Sequence, residues 1–453
     1  MTRSFLWTGV RLAALCSLLL LAACGGKQIP PRDGIPSPHL GTIRDMRTFP
    51  QDLTVFAQQA GADTPLLDSQ AQAEQDARFN RIFFGPWDMR KTSIRKRDVE
   101  IYFRKAKGYK YGDVRWTQDE WDAMRANAGL KSFPNTAMYG ITVRNADLRE
   151  MPSHTPRFSE PTPDPRINPF DYFQYSLLPV GTPVFIAHAS RDGNWYYVET
   201  PVAAGWVDAN DIGIVDEAFE ASYKTGSYVA VLRDNVPLPG SLAGQVNIGT
   251  VLPLAPSQSD NTRLAVLVPV KNGSRAGVVT LMLAHEEAAI KPLPMTPAQV
   301  ALIGNVMMGQ RYGWGGMFGD RDCSALTREL LTPFGIWLPR NSLSQARSGR
   351  RIMLDGMSIK EKEKAILRDG VPFLTLVWLR GHIMLYVGPY KGRPAIFHNV
   401  WGVRTVEGAS DNERFVIGRA VVSSITPGSE LRNLYRTTTF GDRVNSITVL
   451  GGR

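Results

Sequence analysis

Residues 312–331 read YGWGGMFGDRDCSALTRELL, and residues 381–399 read GHIMLYVGPYKGRPAIFHN. The first stretch is a Gly-rich loop that runs into a helix. Leu326 and Leu330 recur at helical spacing, so they tie that helix to a core and hold Cys323 rigidly in its first turn. A thiol placed there meets unpaired amides and the positive end of the helix dipole, which favour a thiolate. The second stretch reads as two strands joined by a turn at 389–393. In a symmetric hairpin His398 stands opposite Met384, so His382 and His398 share one face as diagonal neighbours, while Asn399 points to the other. A slip of one residue would exchange His398 and Asn399. A thiol, a base within reach and a third polar group that orients the base make a nucleophile arrangement. Cys323, His382 and His398 are therefore the predicted catalytic residues. A Cys-bearing helix from 323 to about 334, followed by strands at 371–379, 383–388 and 394–399, predicts an α+β domain over 290–453. Thr296-Pro297 marks the start of its first helix.

Cysteine usage points the same way. The chain has three: Cys16, Cys24 and Cys323. Residues 1–24 carry Arg3 and Arg11, then an apolar run from Leu12 to Ala23 that is short for a bilayer span. They end in Leu21-Ala22-Ala23-Cys24, which resembles the lipobox of bacterial lipoproteins. The resemblance implies removal of a signal peptide, 1–24, and diacylation of Cys24. Export with a lipid anchor follows as an expectation, with Cys323 as the one thiol left over. Gly25 supplies no aspartate-type retention signal. Of six histidines, only His382 and His398 lie in the last domain.

The chain between has distinct textures. Residues 25–40, rich in Pro and Gly, read as a tether. Residues 41–138 read as mainly helical, with one helix from Asp68 to Phe84 stopped by Gly85-Pro86 and another opened by the capping box at Thr117 and Glu120 and closed by Gly129. Residues 139–289 change to short strands and Gly turns. Runs at 182–189, 195–199 and 205–208 are echoed by runs at 249–254, 264–270 and 277–283; Val180-Gly181-Thr182 matches Ile248-Gly249-Thr250. Two all-β barrels, 139–215 and 216–289, are expected, and the pattern resembles bacterial SH3-like domains. The Pro-rich stretch Met151 to Pro169 is expected as an irregular surface loop.

At 453 residues, with 43% hydrophobic and 21% charged, the chain is long enough for several folded domains. Its net charge of +10 favours anionic partners. Export excludes nucleic acid and leaves anionic lipid or wall polymer. The basic run at 95–97 and 104–110 reads equally as a lipid- or wall-facing patch and as a solvated surface.

Four motifs in order carry a more specific resemblance: Tyr312-Gly313-Trp314-Gly315-Gly316, Asp322-Cys323-Ser324, Leu338-Pro339-Arg340-Asn341-Ser342, and Gly381-His382 through Gly388. They are similar to those of the NlpC-type papain-like cysteine peptidases, which cut peptidoglycan stem peptides. Phe79 to Asp88 and the paired barrels resemble multidomain members. The resemblance implies Cys323 as nucleophile, His382 as base and His398 as third residue. It implies that Tyr312 sits near the thiol and donates to the oxyanion, and that Asp322 and Ser324 recognise a free N-terminal amine. The cut would fall after γ-D-Glu in peptides with a free N-terminal L-Ala, with no metal or other cofactor. Ala325 replaces the usual Gly. Tyr172 and Tyr175 are expected groove-wall residues. Two other readings stand beside this one: an inactive wall-binding protein that works through its barrels, and an amidase or acyltransferase on the same fold. Oligomeric state is not legible.

Overall fold

The computed structural model describes residues 40–164, 166, 168–238, 244–255, 262–406, 414–436 and 438–451. The expected signal peptide with Cys24, and the tether except its last residue, lie outside them. Among the described residues no helix is long and apolar enough to cross a membrane.

In the last third, Thr296 accepts from the Gln299 amide and Pro297 takes the first position of the helix Pro297–Met307. The helix Cys323–Leu331 follows, with a 3₁₀ turn to Phe334. Beyond it lies a six-stranded antiparallel sheet in the order 350–353, 444–449, 375–379, 382–390, 393–404, 414–423. The central strands of the sheet are buried on both faces. Ile383, Leu385 and Phe397 pack with Leu326 and Leu330 of the Cys323 helix. Met384, Tyr386 and Ile396 pack with Ala365 and Ile366 of the helix Ile359–Asp369. Burial on both faces removes the polar alternation of a central strand such as 444–449, whereas 350–353 and 414–423 are the sheet's two edges; none of the three was read from the sequence. The expected strand at 371 starts only at Thr375. Residues 371–374 form a turn in which Phe373, at φ +63°, and Leu374 are buried and Val371 is exposed.

Residues 139–215 form a curled antiparallel sheet with its own interior of Leu148, Val184, Ile186, Val198 and Val207. Alternate residues, Tyr197 and Trp206, face outward under Trp116 and Trp121. Residues 228–291 gather around a second core of Val229, Val231, Leu252, Val266 and Leu283. Its long hairpin, Arg263–Asn272 with Arg275–Ala284, joins the first sheet through a single parallel pairing of Arg275 with Ile214. The matched glycines Gly181 and Gly249 both adopt positive φ, +83° and +96°, ahead of equivalent strands.

The helices Ser69–Phe84 and Gln118–Ala128 form where expected, the second with its capping box and with Gly129 at φ +63°. The N-terminal helical region does not gather around one core of its own, however. Phe49, Leu53 and Phe56 lie in the core of the Cys323 helix. Phe79, Phe83 and Phe84 join Phe219, Tyr223 and Tyr228. Trp116 and Trp121 cover the first β unit. Helical periodicity reveals an apolar face without revealing what covers it.

The stretch 151–169 corrects the expectation of a surface loop. Among its described residues there is no helix or strand, but Met151, Phe158, Thr162 and Asn168 are buried. Arg149 clamps its two ends, donating to the Ser153 carbonyl at 2.5 Å and pairing with Asp171 at 2.8 Å. Buried side-chain pairing, invisible in composition, organises a segment that Pro keeps out of regular structure.

Candidate active site

Cys323 opens its helix, so its backbone N–H has no intrahelical acceptor. Asp322 is the cap. One carboxylate oxygen accepts from the Ser324 amide at 3.1 Å, the Ser324 hydroxyl at 2.9 Å, the Ala325 amide at 2.9 Å and Arg340 at 3.1 Å. The other accepts from the Gly315 amide at 3.1 Å and Arg340 at 2.6 Å. Every lone-pair direction is therefore in use. Asp322 and Ser324 are the residues expected to help recognise a free N-terminal amine, and both lie buried beside Arg340. Both are committed to Arg340, which also donates to Ser176 of the first β unit at 3.0 Å.

The Gly-rich loop is shaped by contact. Gly315 and Gly316 take φ of +63° and +89°, and a Cβ on either would lie 2.5 Å from Gln174 or Leu177 of the strand Gln174–Leu178. Only glycine allows this approach. At the loop's far end Arg321 is buried. It meets Asp234 through two 2.7 Å contacts, Gln310 at 2.6 Å and Glu329 at 2.5 Å. Asp234 belongs to the second β unit, so both β units brace the loop that carries the thiol.

The histidines share one face as expected, but not by a regular hairpin: the turn pairs Tyr390 with Arg393, a register that alone would set His398 opposite Leu385. Leu385 pairs with Phe397, and continuing that register sets Met384 across from His398. A bulge between Tyr386 and Gly388 absorbs one residue near the turn. His382 Nε2 and His398 Nδ1 lie 2.8 Å apart, and His398 Nε2 lies 2.9 Å from Ser423 Oγ. Phe440 packs edge-on against both rings. Asn399 takes the opposite face, donating to the carbonyls of Arg311 and Arg321. Cys323 is brought to the start of the same strand, where it packs in one core with Ile383.

The site is dry, and its electrostatics differ from the sequence expectation. Burial and the Asp322 charge push the Cys323 thiol up to about 12, against the pull of the Ile383 and Ser324 amides and Arg340. Burial, helped by Arg443, lowers His382 to about 3, and burial together with His382 holds His398 well below its ordinary value. Burial works to raise Asp322, but Arg340 and the capping donors outweigh it and hold the acid at about 2. Burial and the neighbouring Cys323 and Asp322 raise Tyr312 well above 10. The closed site thus holds a neutral thiol and neutral imidazoles at neutral pH.

Tyr312, Trp401, Trp314 and Phe170 form an aromatic cluster with centroid separations of 5.6–6.0 Å, and Tyr172 reaches Trp314 at 6.3 Å. The Pro-rich stretch thereby delivers Phe170 and Tyr172 to the site. Tyr175 turns away to Tyr102. Sequence reasoning missed Phe170, Arg321, Asp234, Ser423 and the internal role of Arg340. Arg340 lay inside a motif already noticed; the others had no local signal.

Comparison with known proteins agrees with this architecture. Family profiles match at residues 13–133 (NLPC_P60 stabilising domain, N term), 156–208 (SH3 domain, SH3b1 type) and 309–419 (NlpC/P60 family). The chain is similar to an NlpC/P60 endopeptidase from Photobacterium damselae subsp. piscicida, with 24% identity, a TM-score of 0.75, and 92% of this chain and 99% of that one covered. At this identity the likeness speaks for the fold. An NlpC/P60 family protein from Bacillus cereus matches with 17% identity and a TM-score of 0.41, covering 60% of this chain and 81% of its own. No curated protein matches the chain.

Proposed function

We propose that this chain, which carries an NlpC/P60 catalytic domain with the family's N-terminal stabilising domain and an SH3 domain, hydrolyses peptidoglycan stem peptides at the γ-D-glutamyl–diamino acid bond. The observation that carries the reading is the 2.8 Å His382–His398 contact beside Ile383, which packs in one core with Cys323. His382 takes the thiol proton as the sulfur attacks the γ-carbonyl of D-Glu, and His398 orients it. The Cys323 N–H and the Tyr312 hydroxyl hold the oxyanion. The departing amine takes the proton from His382, and water then hydrolyses the thioester. Because thiol and imidazole start neutral, proton transfer accompanies attack and does not precede it.

The test is mass spectrometry of L-Ala-γ-D-Glu-diaminopimelate incubated with protein lacking residues 1–24, beside Cys323→Ala. Release of L-Ala-D-Glu by the native protein alone supports the bond and the nucleophile. Release of a whole stem from intact sacculi would instead mark an amidase. Sacculus binding without cleavage by either protein would mark a wall-binding role. With Asp322 spent on Arg340, N-acetylating the peptide is expected to change kcat/KM by less than about threefold. An amine held by a free carboxylate would cost tenfold or more on acetylation, since hydrogen bonds to charged groups are worth about 1.5–3 kcal/mol.

Export and attachment through Cys24 belong to the same proposal, supported by the lipobox-like 21–24. Metabolic labelling with a fatty acid should mark the full chain, and Cys24→Ser should not be labelled.

A further inference from the structure

Ser423 is fully buried, carries a single hydroxyl hydrogen, and donates it to the Ser424 carbonyl at 2.8 Å. A hydroxyl that has spent its hydrogen can only accept. The 2.9 Å contact between Ser423 Oγ and His398 Nε2 therefore needs the proton on His398 Nε2. His398 Nδ1 is then a lone pair, and the 2.8 Å contact to His382 Nε2 needs a proton on that nitrogen in turn. His382 Nδ1 is left as the lone pair that can receive the thiol proton. One serine thus sets the tautomers of two rings in sequence.

The serine is itself held from outside the catalytic domain. Asp45 accepts from the Ser424 amide at 2.8 Å and the Ser424 hydroxyl at 2.6 Å. Gln51 accepts from the Val422 amide at 3.0 Å and donates to the Val422 carbonyl at 2.9 Å. Both backbone neighbours of Ser423 are therefore clamped by side chains of the N-terminal segment, and the Ser424 carbonyl is kept aimed at the Ser423 hydroxyl.

We propose that Ser423 is a positioning residue for the catalytic histidines, locking His398 and through it His382 as Nε2–H tautomers, and that Asp45 and Gln51 of the N-terminal segment fix it for that task. The proposal rests on the peptidase reading, but its first test needs no turnover. Long-range proton–nitrogen correlation spectra of the Cys323→Ala protein at pH 7, with histidines assigned by His382→Gln and His398→Gln, report which nitrogen of each ring is protonated. Nε2–H on both rings is expected; Nδ1–H on either ring overturns the proposal even if peptidase activity is present. In Ser423→Ala, His398 should shift toward a mixture of tautomers. On the otherwise native background, kcat should fall about tenfold with KM within about twofold, a loss of the size that one hydrogen bond supports. Ser423→Thr, which keeps the hydroxyl, should recover most of that loss, and Asp45→Ala should lower kcat in the same direction. Unchanged tautomers and unchanged kcat in a folded Ser423→Ala would overturn it. Absence of turnover by the native protein on every wall substrate would sink the peptidase reading while leaving the tautomer result to stand or fall by itself.

Discussion

The thiol of Cys323 sits at a helix N-terminus, yet burial and Asp322 push it up to about 12. Desolvation outweighs the dipole because the sulfur has lost its water while a carboxylate stands beside it. The free protein should therefore react slowly with iodoacetamide: at pH 7, Cys323 is expected to label at less than about a tenth of the rate of an exposed cysteine, with the rate rising beyond pH 9. Labelling as fast as glutathione would show that the site opens to water. His382 supplies a second prediction. Its folded value near 3 lies below 6.5, so between those limits the unfolded chain binds the extra proton and stability falls as pH falls. Asp322, held at about 2, titrates below that window. Urea unfolding at pH 7, 5.5 and 4.5 should show a loss approaching tenfold in the folding equilibrium per unit below 6.5 for each of His382 and His398, so about a hundredfold for the two, and His382→Gln should show less. An equal loss in the variant would assign the acid sensitivity elsewhere. At this scale the two histidines were legible as candidates, but their shared face was not secured by counting: the turn pairs Tyr390 with Arg393, and only the bulge between Tyr386 and Gly388 brings His398 to the face of His382. The direction of the thiol shift was not legible either, because burial is a property of neighbours.

At the scale of elements, the loop Gly313 to Gly319 decides where the thiol stands. A Cβ at Gly316 would meet Leu177 at 2.5 Å, on a backbone already at φ +89°. Gly316→Ala is expected to cost about 2 kcal/mol or more, from the left-handed conformation and the clash together. It should also lower kcat, since the loop runs directly into Cys323. Thermal melting beside turnover separates the two effects, and a variant with native melting and native turnover would show that the loop's seat on the 174–178 strand does not matter. Helix starts at Ser69, Gln118, Pro297 and Cys323 were readable because caps are local chemistry. The central strand at 444–449 was not, because burial on both faces removes its polar alternation; the edge strand at 414–423 was not read either.

For the whole molecule, the catalytic domain is not self-sufficient. Arg321, two residues before the nucleophile, finds Asp234 in the second β unit, with both side chains about 95% buried. Asp234→Ala leaves a buried guanidinium with only part of its compensation, and a loss of about 3 kcal/mol is expected by urea unfolding. Phe49, Leu53 and Phe56 fill the core behind the Cys323 helix from the other end of the chain. A fragment of residues 290–453 should therefore fail to give a cooperative melt, whereas 40–453 should give one. A cooperatively folded, active fragment would refute this account of the assembly.

What the sequence determined by itself is what nearest neighbours along the chain determine: a thiol on a helix start, caps, turns and a β texture that repeats. Tertiary structure alone decided that the N-terminal helices have no core of their own, that the Pro-rich stretch folds inward to bring Phe170 to the site, and that Asp322 is spent on Arg340. It also decided that Ser423, held by Asp45 and Gln51, stands behind His398. Each of these depends on groups that meet across tens to hundreds of residues, and a one-dimensional pattern records the face an element offers without recording the surface that covers it.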